Sequence, residues 1–155
     1  MTLVHEDLVG LTSAIWESVF GVDAYPVDPA VVSPVIAGSP TLTGCVNISG
    51  AWEGSVSFIV PLPLARNLAA TMFGMAEDEL DAELVSDAIG ELANIAGGNV
   101  KGMITETCEL GLPIVANGIG YSVSVPGTRI VCEAAFEHVG EPFTVVLHSA
   151  ADLPM

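Results

Sequence analysis

Positive charge is the scarcest feature of this chain: nineteen Asp and Glu face only Arg66, Lys101 and Arg129, for a formal net charge of −16. Binding to DNA, RNA or an anionic bilayer rests on clustered Lys and Arg, so nucleic acid and membrane are not expected partners. The same scarcity limits chemistry, because a protein acting on phosphate would have to borrow neutralising cations from its partner. Long apolar runs are missing too, and nothing reaches the roughly 20 residues of a bilayer crossing. The opening MTLVHEDLVG places His5, Glu6 and Asp7 where an export signal needs a positive segment followed by an apolar one. A soluble, cytoplasmic protein is expected. Cys45, Cys108 and Cys132 are odd in number and widely spaced, with no CxxC and no Cys/His pair at metal-ligand spacing. They read as reduced, mostly buried thiols, and no metal site is expected.

What is present is apolar: 51% of the residues are hydrophobic and 14% charged, which argues against disorder. A chain of 155 residues can bury a sizeable core, so residues 1–155 are read as a single domain. Leu8, Leu11, Ile15 and Val19 recur at helical spacing between Leu3 and Phe20, and Gly21 suits the stop. Pro26, Pro29, Pro34 and Pro40 deny the next stretch backbone donors, predicting loop with a short edge strand at Val31 to Ala37. Leu42, Val46 and Ile48, then Trp52, Val56, Phe58 and Val60, alternate with polar or small residues on either side of Ser49-Gly50, which predicts a β-hairpin. Pro61 and Pro63 open a helix to about Phe73, with Gly74 as its exit. A longer helix is expected from Asp81 to Thr105. Strands follow at Pro113 to Ala116 and Ile119 to Val125, then at Arg129 to Val139, with Ile130, Cys132, Ala134 and Phe136 on one face, and finally at Pro142 to His148. The fold class expected is α+β, a largely antiparallel sheet with helices packed on one side.

The longest helix carries the candidate chemistry. Asp87, Glu91, Asn94, Gly98 and Lys101 are spaced by four, three, four and three, and at about 100° per residue they form a single stripe. Val85, Ile89, Leu92, Ala96 and Met103 fall on the opposite side. Gly90, Gly97 and Gly98 lie along or beside the polar stripe, where another protein's backbone could approach closely; each costs about 1 kcal/mol of helix stability relative to Ala. A solvated helix face, with glycines admitting another element of the same domain, would produce the same pattern.

The segment DAIGELANIAGGNVKGMI resembles the signature of the CheX/CheC/FliY phosphatases of bacterial chemotaxis, with Asp87, Glu91 and Asn94 at the signature positions. The upstream hairpin and PLPLARNLAATMFGM are similar to that family's lead-in. One Glu/Asn pair looks like CheX, since CheC typically carries two. The sequence departs from the pattern in one place: Pro113 follows Asn94 by nineteen residues, fewer than the two dozen or so expected, which touches the border of the site. The resemblance implies a CheX-like domain that hydrolyses the aspartyl phosphate of a CheY-like response-regulator receiver. In that reading Asn94 orients the attacking water and Glu91 pairs with the receiver's lysine, while Asp87, Gly90, Gly97, Gly98 and Lys101 border the contact. It also implies no cofactor bound by this chain, Mg²⁺ supplied by the phosphorylated receiver, and homodimerisation through a sheet edge. Two other readings stay open at this point: a CheX-like module that binds a receiver without hydrolysis, and a structural domain whose acidic surface maintains solubility.

His5, His138 and His148 have no adjacent nucleophile and read as surface or structural residues. Trp16 and Trp52 read as packing residues.

Overall fold

The structure is a computed structural model and describes residues 5–104, 106–120 and 125–150. Its elements run α1 (His5–Phe20), β1 (Tyr25–Val27), α2 (Pro29–Ala37), β2 (Thr41–Gly50), β3 (Gly54–Pro61), α3 (Leu62–Phe73), α4 (Ala82–Met103), β4 (Cys108–Leu110), β5 (Ile114–Gly118), β6 (Thr128–His138) and β7 (Glu141–Ala150). The strands form one antiparallel seven-stranded sheet in the order β1-β6-β7-β3-β2. Beyond β2, two short strands share its outer edge, with β4 opposite Ile48 to Gly50 and β5 opposite Thr41 to Cys45.

Alternation along the strands builds two unlike faces. Leu42, Val46 and Ile48 on β2, Val56, Phe58 and Val60 on β3, and Phe143, Val145 and Leu147 on β7 are buried in the main core, beneath α1, α3 and α4. Trp16 of α1 anchors this side: its ring stacks on Phe143 at 4.5 Å and its Nε1 donates to His138 Nδ1 at 2.9 Å. The opposite face carries Thr43, Ser55, Ser57 and Thr144, and α2 packs there through Val32 and Ile36 against Ala135 and Ile59.

The α+β architecture, with the three longer helices on one side of the sheet, matches the expectation. The segment Val31 to Ala37 does not: it is helix rather than edge strand. Asp28 caps it by accepting from Ala30 N, and Pro29 at its start loses only a donor that a helix leaves unpaired anyway. Ile130 also departs. A bulge between Ile130 and Cys132 shifts the register, so Ile130 pairs with His148 while Cys132 pairs with Leu147, on opposite faces. The expected strand from Ile119 to Val125 falls largely on residues 121–124, outside the described residues; Ile119 and Gly120 themselves form a bend. β1 and β4, three residues each, were too short to show a period.

Among the described residues, no helix is long and apolar enough to cross a membrane.

Candidate functional site

Helix α4 starts where Asp81 accepts a hydrogen bond from Leu84 N at 2.8 Å, and it runs 22 residues. Two glycines seat it on the sheet. A Cβ at Gly44 of β2 would lie 2.6 Å from Ile89 O, so the helix backbone rests directly on the strand there. Two turns on, a Cβ at Gly97 would collide with Val46 Cγ1 and come within 3.1 Å of Leu110 Cδ2. These two close approaches fix the rotation of α4. Val85, Ala88, Ile89, Leu92, Ala93, Ala96 and Val100 are buried beneath it as a result, and Met103 is half-buried.

The same rotation turns the polar stripe outward. Asp87, Glu91, Gly98 and Lys101 are exposed, and Asn94 is half-buried. Gly98 has nothing within 4 Å of a would-be Cβ, so its position is open to an approaching backbone. Gly90 and Gly97 correct the expectation that they line a partner's docking surface, because both are buried. A Cβ at Gly90 would meet Val115 Cγ2 at 3.3 Å and Pro113 Cβ at 3.7 Å, so it admits the domain's own β5 just as Gly97 admits β2 and β4.

This packing explains why two residues three positions apart differ in exposure. Asn94 lies between Gly90 and Gly97 on the helix surface, four residues after one and three before the other. At both glycines the β4–β5 edge packs against α4, and Asn94 lies about one turn from each along the helix. Glu91 is exposed. A half-buried side chain gives up fewer rotamers when it acts, which is what a positioning amide needs.

The sequence did not show that the β4–β5 edge packs on α4. Pro113, for all its shortened spacing from Asn94, sits beside Gly90, the residue before Glu91. On either side of it Leu112 and Ile114 are exposed at 87% and 62%, a pair of large apolar side chains on the edge next to a charged stripe. The run LGLPIV predicts a strand, but only Val115 of the strand's five residues turns toward the core while Ile114 is exposed, so the pattern gave no cue that this edge packs on α4.

Three further titratable groups are held within the fold itself. His138 is buried against Trp16; burial pushes its pKa below the ordinary 6.5, partly opposed by Glu141. Burial raises the Cys132 thiol to about 11, with Asp7 adding to the effect, so it is not a ready nucleophile. Arg66 donates to the Glu77 carbonyl at 2.6 Å. Among the described residues, no three of His, Cys, Asp and Glu come together as metal ligands.

A family model described as Chemotaxis phosphatase CheX matches residues 42–137, which include β2 through most of β6 and the whole of α4. The fold is similar to that of chemotaxis protein CheX from Vibrio vulnificus, at 21% identity over 93% of this chain and 93% of that one, with a TM-score of 0.73. It is similar to CheX from Desulfovibrio desulfuricans, at 22% identity over 92% and 95%, TM-score 0.70. It also resembles a chain of the CheX-CheY-BeF3-Mg+2 complex from Borrelia burgdorferi, at 17% identity over 93% and 95%, TM-score 0.68. No curated protein matches the sequence.

Proposed function

Because the chain belongs to the chemotaxis phosphatase CheX family, we propose that it hydrolyses the aspartyl phosphate of a CheY-like receiver, with Asn94 orienting the water and Glu91 docking the helix. The observation that carries this reading is the pairing on α4 of an exposed carboxylate with a half-buried amide one turn along the same outward stripe. The Borrelia relative was crystallised with CheY, BeF3 and Mg²⁺, which supports a receiver as the partner class.

An acyl phosphate is already activated, so its hydrolysis is mostly a matter of placing water in line and stabilising charge. The water oxygen forms the new bond to phosphorus, the Asp carboxylate leaves with its electron pair, and the water's proton goes to the released phosphate. The Asn94 amide can accept from that water through Oδ1 and donate through Nδ2, and it brings no negative charge to the phosphoryl group. A carboxylate beside a phosphoryl group is repelled once water is excluded, so Glu91 needs a cation. The receiver's own lysine fills that need and sets the angle at which α4 enters. Mg²⁺ held by the receiver neutralises the phosphoryl oxygens. Exposed Leu112 and Ile114 give the docked helix an apolar border that excludes water.

The test is phosphate release from a phosphorylated receiver, alongside capture of phosphorylated and unphosphorylated receivers. Glu91→Ala is expected to weaken capture and release together, by roughly tenfold or more, the loss of one charge-assisted contact. Capture with no release above the spontaneous rate would instead mark a binding module without catalysis, and no capture of any receiver would reject both.

A further inference from the structure

The face of the sheet turned away from α4 holds a cavity of about 270 Å³ between α2 and strands β3, β6 and β7. Its polar lining includes Ser57, Thr144, Glu133 and His148, and its apolar lining includes Ile36 and Ile59. Ser57 is 2% exposed and His148 6%, yet Ser57 Oγ and His148 Nδ1 are buried without a hydrogen-bond partner.

An orphaned buried polar atom costs free energy that a sequence could recover by replacing it with an apolar one. Two such atoms lining one cavity are therefore groups awaiting a partner. We propose that this cavity is a binding site for a small uncharged molecule bearing an amide or hydroxyl edge, which pairs with Ser57 Oγ and His148 Nδ1 while its apolar side packs on Ile36 and Ile59.

Three observations define the class. Among the described residues no Lys or Arg lines the cavity, and Glu133 does, so phosphates and carboxylates are disfavoured. Burial pushes the His148 pKa below its ordinary value, so the imidazole offers no positive charge. The volume lies just under the roughly 300–1,000 Å³ of pockets that take drug-sized ligands, so the molecule is smaller than those.

The site can be tested by ¹H–¹⁵N spectra of the full chain titrated with benzamide and cyclohexane-1,2-diol, with benzoate as the charged control. Saturable shifts are expected at residues 33–37, at Ser57 and Ile59, and at the His148 ring, with a Kd of about 1 mM and binding of benzoate roughly tenfold weaker. Ser57→Ala removes an unpaired hydroxyl, so it should leave the unliganded protein at least as stable while weakening binding about fivefold. Absence of saturable shifts with both neutral probes, equal binding of benzoate, or unchanged affinity in Ser57→Ala would each overturn the proposal. So would a cavity filled only by ordered water bonded to both orphaned atoms.

Discussion

The two sides of α4 are built from the same 22 residues and obey opposite rules. The inward side is all packing: Ala88, Ile89, Leu92, Ala93, Ala96 and Val100 are completely buried, and Gly97 sits against Val46 with no room for a methyl group. The outward side does little for the fold, with Asp87, Glu91 and Lys101 exposed and open space at Gly98. The inward side sets the rotation and the outward side inherits its geometry, so the amide proposed as catalytic would be positioned by residues that never meet the substrate.

The sharpest way to break that division is from within. Leu92→Ala should cost about 2–5 kcal/mol in urea unfolding, through lost burial and the cavity left behind, while the molecules that remain folded retain their turnover. The adjacent glycines should then separate the two sides at the scale of one methyl group. Gly97→Ala drives a Cβ into Val46 and should destabilise by about 1–3 kcal/mol. Gly98→Ala has space for its methyl and should stabilise the helix by up to about 1 kcal/mol while reducing receiver affinity, because the open position is then filled. Equal effects from the two substitutions would mean that the faces are not divided as described.

The smallest effect should come from acid. His138 and His148 both have folded pKa values pushed by burial below 6.5. Unfolded, they take up protons at their ordinary pKa; folded, they resist until lower pH. Their contribution to stability is therefore fully present above pH 6.5 and is lost as pH falls toward the lowered folded values. Protonating His138 Nδ1 would also end its bond from Trp16 Nε1. Melting temperature should drop by roughly 4 °C or less between neutral and mildly acidic buffer, and His138→Gln should remove part of that drop.

Much of this was legible in the sequence, because periodicity survives wherever an element is long and one-sided. The stripe Asp87, Glu91, Asn94, Gly98 and Lys101, and the core set opposite it, follow from spacing along 22 residues. The hairpin of β2 and β3 follows from alternation, and Asp81 and Gly74 act as helix punctuation, one accepting from Leu84 N and the other taking up a left-handed conformation. The glycines are less legible. Gly90, Gly97 and Gly98 look alike in a sequence, and only long-range contact shows that the first two are filled by Val115, Val46 and Leu110 while the third is open. The packing of the β4–β5 edge on α4 was hidden for the same reason, since Pro113 reaches Gly90 across the sheet edge. The helix at Pro29–Ala37 was obscured by its own prolines, which suit a helix start as well as a loop.

The central claim is that the Asn94 amide accelerates hydrolysis without being needed for docking. The most direct measurement is the half-life of a receiver's aspartyl phosphate at saturating concentrations of the intact protein and of Asn94→Ala, with the Kd of each determined in parallel. Asn94→Ala is expected to bind with an affinity within about threefold of the parent, while turnover falls by about a hundredfold or more. A half-life with Asn94→Ala as short as with the parent protein, at equal occupancy, would contradict it.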